Sequence, residues 1–64
     1  MTMTRPSAAP KGAQRVLVVE DEPDIAALIA YQLTREGYRV ETAATGTDAL
    51  ASVSREIPDL VVLD

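Results

Sequence analysis

The 64-residue sequence contains no cysteine, so no disulfide can staple it, and that absence fits a reducing compartment. No lysine follows Lys11. Nothing resembles a glycine-rich phosphate cradle, which argues against a nucleotide-binding βαβ unit. No apolar run approaches the length that spans a bilayer, and the N-terminus lacks the apolar core of a secretory signal. A cytoplasmic protein without membrane contact is the expectation. Acids are missing from the first fifteen residues, which carry Arg5, Lys11 and Arg15. All ten acids fall in residues 16–64, against Arg35, Arg39 and Arg55, for a net charge of −7 there. A body of that sign repels a phosphate backbone, so this segment is not expected to bind nucleic acid. Length is also in short supply, because small domains bury too little surface to offset chain entropy without a staple, metal or partner.

What the chain does contain is organised around RVLVVEDEPD, Arg15 to Asp24. Four aliphatic residues, Val16 to Val19, run into Glu20, Asp21 and Glu22, and an apolar run without alternation reads as a strand buried on both faces. Before it, residues 1–14 hold Pro6, Pro10 and Gly12 without periodicity and read as a flexible, disordered leader. After it, Pro23 suits the first turn of a helix. Ile25, Leu28, Ile29 and Leu33 follow at helical spacing, and Gly37 is placed to stop the helix. Tyr38 to Ala43 alternates Tyr38 and Val40 with Arg39 and Glu41, a strand exposed on one face. Thr45, with Asp48 three residues on, opens a second helix whose narrow stripe is Ala49, Leu50 and Val53. Ile57-Pro58 ends that helix, and Asp59 to Asp64 is the third strand. The sequence therefore reads as residues 15–64 of an α/β domain truncated after its third strand, part of a longer chain.

The element order is β-α-β-α-β, which implies a parallel sheet with right-handed crossovers. The second strand is the polar one, so the first belongs between the other two, in order 2-1-3, with the helices on opposite faces. The direction reverses between the first and third strands, where open α/β sheets bind ligands. Glu20, Asp21 and Asp64 belong at that point. Carboxylates at about 5 Å and an effective dielectric near 20 repel by roughly 3 kcal/mol a pair, and with no lysine at hand a cation is the best counter-charge. All-oxygen ligands suit Mg²⁺, with Mn²⁺ and Ca²⁺ as alternatives. A metal beside a free carboxylate is a device for phosphoryl transfer.

VLVVEDE, the helix, GYRVETAATGTDAL and PDLVVLD together resemble the N-terminal half of a response-regulator receiver domain of two-component signalling. The resemblance covers Arg15 to Asp64. It implies a flavodoxin-like, doubly wound parallel sheet of order 2-1-3-4-5, of which 2-1-3 is present. It implies that Asp64 is the phosphoacceptor, that Asp21 ligates Mg²⁺ directly, and that Glu20 acts through a metal-bound water. Many receivers have aspartate at the Glu20 position, and the VVEDE form resembles regulators carrying a winged-helix DNA-binding domain. The metal set is thus Glu20, Asp21 and Asp64, the partner a sensor histidine kinase or phosphotransfer protein, and the complete protein a candidate homodimer. Such a domain is a phosphoacceptor switch rather than an enzyme. A carbonyl ligand, a Ser/Thr and a Lys are implied beyond Asp64. The alternative is a receiver-like interaction module that takes no phosphate. Blander readings stand beside these: a strand-end carboxylate or helix cap for Asp64, a solvated strand-end acid for Glu20, a helix cap or solvated loop acid for Glu22, and packing roles for Tyr31 and Tyr38.

Overall fold

Val16, Leu17 and Val18 are almost wholly inaccessible to solvent, as an unbroken aliphatic strand at the centre of a sheet must be. The computed structural model describes residues 2–4 and 14–63. Its elements are β1 (Thr2–Thr4), β2 (Arg15–Val19), α1 (Pro23–Arg35), β3 (Arg39–Ala43), α2 (Gly46–Arg55) and β4 (Leu60–Leu63). They form one sheet in the order β1-β4-β2-β3. β2 pairs in parallel with β3, from Arg15 opposite Arg39 to Val19 opposite Ala43, and with β4, from Val16 opposite Leu60 to Val19 opposite Leu63. The three parallel strands thus lie in the expected 2-1-3 order.

β1 pairs antiparallel with the outer edge of β4. Its three residues fall in the stretch whose composition reads as leader, and nothing in their pattern marks a strand. The remaining leader residues, and Asp64, lie outside the described residues.

One face of the sheet carries Val16, Val18, Leu60 and Val62, packed against Ile29 and Leu33 of α1 and against Tyr38 and Val40. Fully burying each such aliphatic side chain contributes about 1.5–3 kcal/mol. The other face carries Leu17 and its register partner Glu41, whose carboxylate bonds Ser52 and Arg55 of α2. Successive strand residues point to opposite faces, so the two helices cover opposite faces, as expected.

Several expected contacts differ. Ile25, Leu28 and Tyr31 are exposed, because α1 turns only the Ala26, Ile29 and Leu33 side of its broad stripe to the sheet. Tyr31 instead lies under the Arg35 guanidinium, 5.7 Å from its ring centre. In α2, Leu50 is exposed and Ser52 is buried, so the stripe is rotated from the expected one. The last strand begins at Leu60 rather than Asp59, since Asp59 is bound to Arg15 instead: its N–H donates to the Arg15 carbonyl at 2.9 Å, and its carboxylate accepts the Arg15 N–H at 2.9 Å. Among the described residues no helix is long and apolar enough to cross a membrane.

Candidate functional site

The site begins where β2 runs out of aliphatic residues. Glu20 still belongs to the ladder, its N–H donating to the Ala43 carbonyl at 3.0 Å, and it is only 5% exposed. A carboxylate so enclosed needs donors. One is the Glu22 N–H, which donates to Glu20 Oε1 at 3.0 Å. The chain then turns at once into α1, with Pro23 in its first turn and the Ala26 N–H donating to the Glu22 carbonyl at 2.9 Å. Asp21, between the two glutamates, is exposed.

Glu22 occupies the N-cap position of α1, but its side chain makes no capping bond. Its contribution at the site is its backbone N–H, which fixes Glu20. Glu20 and Asp21 both face an open groove of about 400 Å³ at the C-terminal edge of the sheet, with Pro23 and Ala26 on one side and Thr42 and Ala43 on the other. Small side chains at 26 and 43 leave this room beside the two acids. Thr42 and Ala43 are groove residues that the sequence reading missed. The available signal is positional, since they end the strand next to the one that delivers Glu20.

Adjacent strands run about 4.8 Å apart, and Val19 is opposite Leu63. The residues that follow in the chain are Glu20 after Val19 and Asp64 after Leu63. Asp64, expected as phosphoacceptor and metal ligand, lies outside the described residues, so the structure brings together Glu20 and Asp21 only. Among the described residues no group of three or more metal-binding side chains is present. The donors that are present are hard carboxylate oxygens beside an open, water-accessible groove. That donor set fits Mg²⁺, which favours one or two carboxylates and retains much of its water.

The response regulator receiver domain, as a family, matches residues 16–64. Among curated proteins, the chain is similar to the alkaline phosphatase synthesis transcriptional regulatory protein PhoP of Bacillus subtilis, 49% identical over 51 residues, which is 80% of this chain and 21% of that protein. It is 54% identical over 50 residues to the transcriptional regulatory protein TcrA of Mycobacterium tuberculosis, covering 78% of this chain and 20% of the relative. To the transcriptional regulatory protein KdpE of the same species it is 47% identical over 49 residues, 77% of this chain and 22% of the relative. The chain therefore spans about a fifth of the length of these relatives. No solved structure matches it.

Proposed function

This chain belongs to the response regulator receiver domain family, and from that premise we propose that it is the phosphoacceptor part of a two-component regulator, with Asp64 as the acceptor. A carboxylate oxygen of Asp64 attacks the phosphorus of a phosphohistidine on a sensor kinase or phosphotransfer protein. The new P–O bond forms as the P–N bond breaks, the electron pair returns to the imidazole, and an aspartyl phosphate results.

Glu20, Asp21 and Asp64 would hold Mg²⁺. When bound, the ion supplies positive charge against the phosphoryl oxygens. The chain's own contribution is placement. The β2–β3 ladder fixes the Glu20 backbone through Ala43, and the Glu22 N–H fixes its carboxylate. Asp21 is left facing solvent at the groove.

The observation that carries this reading is the convergence of Glu20 and Asp21 on one groove at the end of β2, beside the strand that leads into Asp64. In the complete regulator the acceptor would switch an output carried elsewhere in the protein, transcriptional control being the class named for the relatives. Incubation of the full-length regulator with a small acyl phosphate and Mg²⁺ is expected to give an acid-stable, base-labile label on the wild type and none on Asp64→Asn. Equal labelling of both would remove Asp64 from the role.

A further inference from the structure

β2 and β4 meet as two unbroken aliphatic runs, Val16 to Val19 against Leu60 to Leu63. Register in a sheet is ordinarily set by the alternation of apolar and polar residues, and neither run alternates. A slip would again set aliphatic residues against aliphatic residues, so polarity within the ladder does not select one register. The selection matters at the C-terminal edge. A slip of one residue moves β4 by roughly 3.3 Å along β2 and turns its side chains to the opposite face, and a slip of two moves it roughly 6.6 Å. Either would carry the residue after Leu63 away from Glu20, which follows Val19 opposite Leu63.

A mark that does distinguish registers lies at the other end of the strands, at Asp59. Its N–H donates to the Arg15 carbonyl at 2.9 Å, and its Oδ2 accepts the Arg15 N–H at 2.9 Å. The two bonds close reciprocally on one residue. A slip by one in either direction would set Pro58 or Leu60 beside Arg15. Pro58 has no N–H to give, and neither residue has a side-chain acceptor. A slip by two would bring Ile57 or Val61, which lack the acceptor as well. Glu56, from the same connection, pairs with the Arg15 guanidinium. We propose that Asp59 is a positioning residue for phosphoryl acceptance. By bonding both the N–H and the carbonyl of Arg15 it sets the register of β4 on β2, and so the point at which the chain delivers Asp64 beside Glu20 and Asp21. The proposal rests on Asp64 as the acceptor.

The test compares Asp59→Asn, whose amide oxygen can still accept the Arg15 N–H, with Asp59→Ala, which has no acceptor, both in the full-length regulator. Without Mg²⁺, cross-strand NOEs report which residues of β2 and β4 stand opposite one another. Val18 should face Val62, as here, in the wild type and Asp59→Asn, and should share that place with a slipped partner in Asp59→Ala. Labelling by a small acyl phosphate and Mg²⁺, per folded molecule, should fall roughly tenfold to a hundredfold in Asp59→Ala and stay within about twofold of the wild type in Asp59→Asn. Gly37→Ala, which weakens the end of α1 and keeps both Asp59 and Arg15, should label at the wild-type rate, and this separates placement from stability. If Asp59→Ala does not fold, Arg15→Pro removes the same bond from the donor side, with Arg15→Ala, which keeps the donor, as its control. A single register with an undiminished rate in the folded variant that lacks the bond would overturn the proposal, as would an Asp59→Asn as slow as Asp59→Ala. A wild type that takes no label, or an Asp64→Asn that takes as much, would instead remove the acceptor and the proposal with it.

Discussion

Glu41 shows how a single side chain can tie a strand to a helix. The Ser52 hydroxyl donates to its Oε1 at 2.7 Å, and the Arg55 guanidinium donates to its Oε2 at 2.7 Å. The Ser52 bond is the main reason its carboxyl titrates below the usual 4.5. Desolvation works against that shift, and the Arg55 charge and hydrogen bond add to it. A carboxyl with a depressed folded pKa stabilises the fold above its unfolded value, and that stabilisation is lost as pH falls through the folded one. The difference in thermal midpoint between the wild type and Glu41→Gln should therefore shrink between pH 6 and the region below pH 4.5. A difference that holds constant over that range would contradict the assignment. Ser52 was not legible as a buried residue, because its partner is eleven positions away on another element and helical periodicity favours Leu50. Glu20 and Asp21, by contrast, were legible, because a buried strand that ends on acids delivers them to the sheet edge whatever else the fold does.

Among the elements, α1 has the most fully specified ending. Gly37 adopts φ 100°, with its N–H donating to the Thr34 carbonyl at 3.0 Å and the Tyr38 N–H to the Leu33 carbonyl at 3.1 Å. This is the paired-bond stop that glycine serves best, and Leu33 and Tyr38 both pack on the core beside it. Gly37→Ala should destabilise the fold by about 1–2 kcal/mol, the cost of a side chain in the left-handed region, as read by chemical denaturation. An unchanged midpoint would mean that the turn can relax. This stop was readable from the glycine alone, as was the cap of α2, where the Thr45 hydroxyl accepts the Asp48 N–H at 3.0 Å. The end of β2 was readable where its aliphatic run meets acids, whereas the start of β4 was not, because the Asp59 side chain and N–H are taken by Arg15. Which residues of α1 face the sheet was not, because Ile25, Leu28, Ile29 and Leu33 make a stripe wider than one sheet face covers, and only packing selects Ile29 and Leu33 from it.

For the molecule as a whole, the order of the parallel strands was legible in their relative polarity, with β3 outermost and β2 central. β1 was not, because antiparallel pairing of three residues is a backbone matter that leaves no hydrophobic pattern. The same whole-molecule view sets the expectation for metal. With a net charge of −7 in residues 16–64, Mg²⁺ at the proposed set of Glu20, Asp21 and Asp64 would relieve repulsion mainly in the folded chain, which alone brings acids so distant in sequence together. Mg²⁺ at ten times its dissociation constant should then add about 1.4 kcal/mol of stability, seen as a rise in thermal midpoint. Asp21→Asn should abolish that rise, and a variant that responds to Mg²⁺ as the wild type does would place the ion elsewhere. The pairing of β1 with β4 has a further consequence, in time. The ribosome releases residues 2–4 ahead of residues 60–63, by some 3–11 s at roughly 5–20 residues per second. β1 is thus made before its partner and can pair only once β4 emerges, after β2, β3 and the two helices.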